Sequence, residues 1–328
     1  MTIADEGAPT LTRRPLIIAH RGASGERPEH TRAAYDLAIA QGADFIEPDL
    51  VMTADGVLIV RHENEISGTT DVAAHPAFAA RHTTKTIDSQ PVTGWFTEDF
   101  TLAELKTLRA RERLPDLRPA NTAFDGREPI LTFDEVLDIA AAAGVGVAPE
   151  LKHPSYFSAL GLPIEDAFVA VLARRGLADA DAPVLIQCFE VGSLQRLRVR
   201  LAAPLLQLVA ASGGPFDRPG LSYAAMTTPD GLADIATYAD WIGVDAVLIE
   251  LTPGAPTALI PDAHAAGLRV AAWTFRTENA FLPEADRIGD DAAAHGRLRD
   301  RLGRFADYGL DAAFMDQPGM VAGLQIRR

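Results

Sequence analysis

Cysteine is almost absent: Cys188 stands alone among 328 residues, so no intrachain disulfide can form and the redox compartment stays open. Its setting, VLIQCF, suggests a small buried residue on a strand. Basic side chains are few against acidic ones, 30 to 45, for a net charge of -15. That balance argues against a nucleic-acid partner, whose phosphates reward basic surfaces. An anionic substrate would need a local positive centre within a repelling overall field. No apolar run is long enough to span a bilayer. The opening MTIADEGAPTLTRRP has no basic segment followed by an apolar one. On the sequence as given, the expectation is a cytoplasmic protein, periplasmic or secreted if a leader has been removed. No dinucleotide fingerprint occurs either, since Gly22-Ala23-Ser24-Gly25 has the wrong spacing.

Hydrophobic residues make up 48% of the chain, enough for a sizeable core. After a lead-in over residues 1–14 that reads as disordered, strand-like runs recur at 16–20, 45–51, 57–62, 145–152, 184–189, 205–210, 241–247, 268–275 and 312–316. Helical patterns lie between most of them, several opening on Thr or Ser and closing on Gly. Such alternation predicts a closed parallel barrel or an open doubly wound sheet. The barrel is favoured because charged residues terminate several different strands, where barrel enzymes assemble their sites. The expectation is therefore an α/β fold, a TIM (β/α)8 barrel in a single domain over 15–325. The alternation lapses over 65–130, too long for an ordinary loop. That segment reads as a small subdomain inserted after the third strand, with a helix at 101–111. Residues 278–300 read as a charged, solvated loop and helix.

The stretch from Ile17 to Asn64 holds most of the chemistry. Asp55-Gly56 favours a two-residue type I′ turn, which would put Asp49 opposite His62, with Glu47 on the same face. Two carboxylates at i and i+2 on an inward face are unfavourable unless a cation lies between them. Glu150 and Lys152 repeat this spacing at another strand end. Hard oxygen ligands from Glu47, Asp49 and Glu150 would suit Mg2+ or Ca2+. The plainer alternative is that these groups form strand-end ion pairs. His20-Arg21-Gly22 closes the first strand: the arginine fork suits phosphate, and the glycine admits a close ligand. His62 is a candidate acid or base with its natural pKa near neutrality. Trp273 is a core residue or an apolar wall for substrate, and the other histidines fall to helix, loop or surface roles. Together the groups suggest phosphodiester hydrolysis. A cation would polarise a phosphoryl oxygen, Arg21 and Lys152 would stabilise developing charge, and two histidines would divide the proton work.

On these residues the chain resembles the glycerophosphodiester phosphodiesterase family. The resemblance rests on His20-Arg21-Gly22, Pro28-Glu29-His30-Thr31, Glu47-Pro48-Asp49, Thr53-Ala54-Asp55-Gly56 and His62. Pro149-Glu150-Leu151-Lys152, Gln187-Cys188-Phe189 and Met315-Asp316 also look like family features, so the match extends from about 15 to 320. HRGASGERPEHT and DFTLAELKTL look closest to the periplasmic, calcium-dependent bacterial subgroup. The resemblance implies a TIM barrel that hydrolyses glycerophosphodiesters, small molecules such as glycerophosphocholine and glycerophosphoethanolamine, to sn-glycerol 3-phosphate and an alcohol. It implies one divalent cation, Ca2+ preferred and Mg2+ possible, on Glu47, Asp49 and Glu150. His20 and His62 match the family's acid–base pair, and Arg21 and Lys152 its phosphate contacts. Where the family usually has Asp after the second His, this chain has Glu63. A bulkier lysolipid diester, or a barrel that only binds phosphate compounds, are the alternative readings.

Overall fold

The computed structural model describes residues 14–321. The expected lead-in, apart from Arg14, lies outside them. Strand β1 (Leu16–His20) is apolar until its last residue, and Thr31 caps the helix Arg32–Ala40 that follows by accepting from Ala34 N. The chain returns as β2 (Phe45–Glu47), loses one ladder donor at Pro48, and resumes as β3 (Asp49–Met52). Strand β4 (Leu58–Val60) folds back antiparallel on β3, while β5 (Thr83–Ile87) and β6 (Gln90–Gly94) form a separate hairpin. Thr132 and Glu135 make a capping box at the start of the helix Phe133–Ala143, which Gly144 closes in the left-handed conformation. Strands β7 (Gly146–Val147) and β8 (Glu150–Leu151) are again one strand interrupted by a proline, Pro149. Next come β9 (Ile186–Cys188), β10 (Leu205–Val209) and β11 (Trp241–Asp245). A small ladder of β12 (Glu250–Thr252) and β13 (Ala255–Pro256) precedes β14 (Arg269–Phe275) and β15 (Ala312–Met315).

The strand order is β4-β3-β8-β9-β10-β11-β14-β15-β1-β2-β7. Because β2 runs on into β3 and β7 into β8, the two ends of that order are the same pair of strands. With each broken strand counted once and β4 set aside, eight parallel strands close a TIM barrel, β1 pairing with β15. Ile18, Ala148, Leu185, Leu206, Trp241, Ala271 and Phe314 plug its interior. A second, larger apolar layer lies between the strands and the surrounding helices. Side chains alternate along a strand. The inward face that carries Ile18, Ala148, Ala271 and Phe314 therefore next presents His20, Glu150, Trp273 and Asp316. The barrel changes from apolar plug to polar mouth in one step.

Two local expectations are corrected. Gly56 N bonds Thr53 O at 3.1 Å and Thr53 N bonds Val57 O at 3.0 Å, so the hairpin turns over three residues, with Gly56 left-handed at φ 77. This is a type I turn with a glycine bulge, not a two-residue type I′ turn. Asp55 is held out of the left-handed region while its carboxylate accepts from Thr53 Oγ1 and from Leu102 N. The ladder then runs Leu50 to Val60, which puts Arg61, not His62, opposite Asp49. The helix expected at 101–111 spans only Leu102–Leu105. Beyond its end, Arg109 folds back and donates to the carbonyls of Lys106, Thr107 and Leu108. Among the described residues no helix is long and apolar enough to cross a membrane.

Candidate active site

A cavity of about 470 Å³ opens at the carboxyl ends of the strands. His20, Arg21, Glu47, His62, Glu150 and Lys152 line one side, and Trp273, Arg276, Phe281 and Leu282 the other. A second cavity of about 540 Å³ shares His62, Glu150, Lys152 and Phe189 with the first. Over it, the tip of the β5–β6 hairpin brings Asp88 Oδ2 within 2.7 Å of His153 Nδ1. The segment 65–130 thus reaches the barrel mouth. Residues 278–300 are less solvated than expected, since Glu278, Asn279 and Asp286 are buried and Phe281 and Leu282 face the cavity.

The three carboxylates converge. Pairing of β3 with β8 sets Asp49 beside Glu150, and pairing of β1 with β2 sets His20 beside Glu47. Ligand oxygens of Glu47, Asp49 and Glu150 lie within 4.8 Å of one another, all buried. Glu47 accepts from Arg21 N at 2.6 Å. Asp49 Oδ2 meets His30 Nε2 at 2.9 Å and Arg21 Nε at 3.2 Å. Lys152 Nζ lies 2.7 Å from Glu150 and 3.1 Å from Asp49 Oδ1. That second contact lacks hydrogen-bond geometry, so Asp49 Oδ1 is buried without a hydrogen bond. Burial, with Asp49 and Glu150 nearby, raises Glu47 well above the usual carboxylate range. Glu150 is pushed up to about 8, first by burial, despite Lys152. Asp49 runs the other way: burial favours its neutral acid, yet Lys152, His62, His30 and Arg21 hold it well below the usual range. An orphaned oxygen on this ionised carboxylate, beside two that resist ionisation, fits a hard divalent cation, whose charge would reverse that resistance.

Each histidine is held through Nδ1. His20 Nδ1 lies 2.7 Å from Asp316 Oδ1, and His62 Nδ1 2.5 Å from Glu63 Oε1. A carboxylate at Nδ1 selects the tautomer with the proton there and leaves Nε2 as the acceptor. Burial and then the neighbouring Arg21 lower His20 to about 4. Burial, Arg21 and Lys152 lower His62 to about 3. Burial favours the neutral acid at Asp316, yet Arg276 and Arg118 hold it well below the usual range. Glu63, one carbon longer than the family's usual Asp, still reaches the His62 ring. Gly22 has φ +83, and a Cβ there would come within 2.7 Å of Ala34 C, so the loop after β1 presses directly on the first helix. Trp273 lines the cavity and donates Nε1–H to Gly243 O at 3.1 Å. Cys188 is buried on β9.

His30 corrects its assignment to a helix, loop or surface role. It is fully buried and joins Asp49 to Tyr35, its Nδ1 2.9 Å from the phenol oxygen. Glu29, Arg113, Arg118 and Asp316 are further residues of the site beyond those expected from the sequence. Asp316 has a readable signal as a lone acid at the carboxyl end of the last apolar strand, and Glu29, like His30, lies in the Pro28–Thr31 motif; Arg113 and Arg118 have none.

Fold and site together define a TIM-barrel enzyme with an acidic triad and two carboxylate-bound histidines at the mouth. The model of the glycerophosphoryl diester phosphodiesterase family matches residues 20–320. Glycerophosphodiester phosphodiesterase GDPD6 of Arabidopsis thaliana is 38% identical over 294 residues, 84% of this chain and 78% of the relative. A glycerophosphodiester phosphodiesterase of Haemophilus influenzae is 31% identical over 257 residues, 70% of this chain and 68% of its own. Among solved structures, an Oleispira antarctica phosphodiesterase in complex with the product sn-glycerol-3-phosphate has a TM-score of 0.63 at 22% identity, covering 94% of this chain and 95% of that one. A glycerophosphodiester phosphodiesterase from Agrobacterium tumefaciens gives 0.60 at 21%, covering 94% and 100%. The structural likenesses support the fold. The chain belongs to the glycerophosphodiester phosphodiesterase family and is a phosphoric diester hydrolase.

Proposed function

We propose that the protein hydrolyses glycerophosphodiesters, glycerophosphocholine and glycerophosphoethanolamine among them, to sn-glycerol 3-phosphate and the free alcohol. The observation that carries this reading is the meeting of the buried triad with two carboxylate-bound histidines in one cavity that also contains Arg21 and Lys152. Glu47, Asp49 and Glu150 would hold one divalent cation, Ca2+ in preference to Mg2+. Bound there, the cation supplies Lewis-acid polarisation of a phosphoryl oxygen. Arg21 and Lys152 present positive charge to the other oxygens, offsetting the acidic field of the chain. One histidine takes the proton from the attacking hydroxyl, of water or of the substrate's glycerol, as the new P–O bond forms. The other gives a proton to the departing alkoxide as the old P–O bond breaks. The diester's negative charge against the rings favours an imidazolium that the free site disfavours. The sn-glycerol-3-phosphate bound by the Oleispira barrel is the same product.

Release of glycerol 3-phosphate from glycerophosphocholine by EDTA-stripped protein, with Ca2+ or Mg2+ returned, tests the reading. Turnover restored by metal, and more by Ca2+, is the expected result. Folded protein that turns over neither glycerophosphocholine nor glycerophosphoethanolamine with either ion would overturn it. The apolar wall of Trp273, Phe281 and Leu282 favours a lysolipid diester as the second reading, which the same assay tests with lysophosphatidylcholine.

A further inference from the structure

The segment between β6 and the helix Phe133–Ala143 sends two arginines under the site, one to each histidine's carboxylate. Arg113 binds Glu63 through Nη2 at 2.7 Å and Nη1 at 3.1 Å. The same guanidinium clasps Glu29 through Nε and Nη2, both at 2.6 Å, and Glu29 in turn accepts from Arg21 Nη1 at 3.0 Å. Arg118 Nη2 lies 2.6 Å from Asp316 Oδ2, with its Nε on Glu278 at 2.7 Å and its Nη1 on Ser24 O at 3.0 Å. Neither arginine lines either cavity; each meets the site through the carboxylates it binds.

The two sit five residues apart on one compact turn. Glu112 holds that turn by accepting from Leu114 N at 2.8 Å and Asn121 Nδ2 at 2.9 Å. Each arginine adds directional donors to a carboxylate whose remaining lone pairs face an imidazole. Arg118 and Arg276 both occupy Asp316 Oδ2, leaving Oδ1 to His20. Arg113 spans both oxygens of Glu63 and so fixes the plane in which Oε1 meets His62. A planar fork can lock a carboxylate's orientation, which a single point charge cannot do.

We infer that Arg113 and Arg118 are positioning residues, through which the inserted segment sets the orientation and tautomer of His62 and His20 respectively. The inserted segment is then part of the catalytic assembly as well as a wall of the pocket. This rests on the two-histidine reading above, and the test separates the two.

The full chain with its supporting cation is assayed as Arg113→Gln, Arg118→Gln and the matching Lys variants. The substrates are glycerophosphocholine and the 4-nitrophenyl diester of glycerol 3-phosphate, whose leaving group departs without a proton. Both Gln variants should lose about 10- to 100-fold in kcat on glycerophosphocholine, a part of the roughly 10²–10⁴-fold an acid–base group supplies. KM should move less than about threefold. The arginine behind the histidine that protonates the alkoxide should show a much smaller loss on the nitrophenyl diester, while the other loses alike on both. Lys variants, which keep the charge without the fork, should recover part of the loss. If a Gln variant fails to fold, by circular dichroism and thermal unfolding, its Lys variant is read by the same leaving-group comparison. Wild-type kcat in folded variants, or losses identical on both substrates for both arginines, would overturn the inference. His20→Ala and His62→Ala serve as controls: full activity in either removes the two-histidine reading itself, whereas dead histidine variants beside unimpaired arginine variants sink only the positioning role.

Discussion

Replacing Asp316 with Asn should trap His20 in the wrong tautomer. Asp316 Oδ2 already accepts from Arg118 Nη2 at 2.6 Å and Arg276 Nε at 2.8 Å. An amide NH2 cannot face two donors, so the Asn oxygen must take that side and its NH2 must point at His20 Nδ1, now 2.7 Å from Oδ1. The ring then has to accept at Nδ1 and carry its proton on Nε2, where it can no longer take one. Losing a correctly protonated acid–base group costs up to about 10⁴-fold. At 1.36 kcal/mol per tenfold, that is roughly 4–5 kcal/mol of barrier for losses of 10³- to 10⁴-fold. The change keeps the shape of the side chain and two of its hydrogen bonds, so the barrel should still form. The assay is kcat for glycerol 3-phosphate release at saturating cation, with thermal unfolding alongside. A folded Asp316→Asn protein within about threefold of wild type would refute the claim that Asp316 sets the His20 tautomer.

Other expectations concern the triad and the loop after β1. Glu47→Gln removes one charge from the cation site, so Ca2+ affinity measured by calorimetry should fall about tenfold or more, with turnover falling too; undiminished affinity would place the ion elsewhere. In metal-free protein the raised Glu150 adds stability that is fully present below its ordinary 4.5 and is lost as pH climbs through about 8. Glu47 shifts in the same direction. The upper bound for Glu150 alone is about 5 kcal/mol. Melting of EDTA-stripped protein should therefore fall from pH 5 to pH 8, and a saturating divalent cation should flatten the decline; a cation-independent profile would contradict a metal-holding triad. Glu29 and Asp316, both held low despite their burial, contribute in the opposite sense. Their stability is present above the ordinary carboxylate pKa and disappears on acidification. Gly22→Ala should lower the unfolding free energy measured in urea by roughly 1–3 kcal/mol or more, because Gly22 has φ +83 and Ala34 backbone lies where the methyl would go; an unchanged midpoint would show that the loop gives way freely.

Much of this arrangement was legible because barrel strands impose a simple rule on their carboxyl ends. His20, Glu150 and Trp273 each lie two residues beyond an apolar residue that plugs the barrel, and period-two alternation carries them inward. Glu47 and Asp49 stood out because buried paired acids are costly without a cation. What stayed hidden depends on long-range geometry. Arg113 and Arg118 occupy a loop without periodicity, and their partners Glu29, Glu63, Glu278 and Asp316 come from distant parts of the chain. His30 lies in the Pro28–Thr31 motif, yet nothing local reveals that its ring reaches Asp49. The hairpin register slipped by one residue because Asp55 has a tertiary partner, Leu102 N, that a two-residue turn would not serve.

His20 and Asp316 are 296 positions apart and meet only where the first strand pairs with the last. On the proposed two-histidine reading, a growing chain has no working acid–base unit until its final strand has docked, however well its earlier part has folded. Turnover in this enzyme thus doubles as a reporter of ring closure. During refolding, activity should appear only once β15 has joined β1, whatever share of helical signal has already returned.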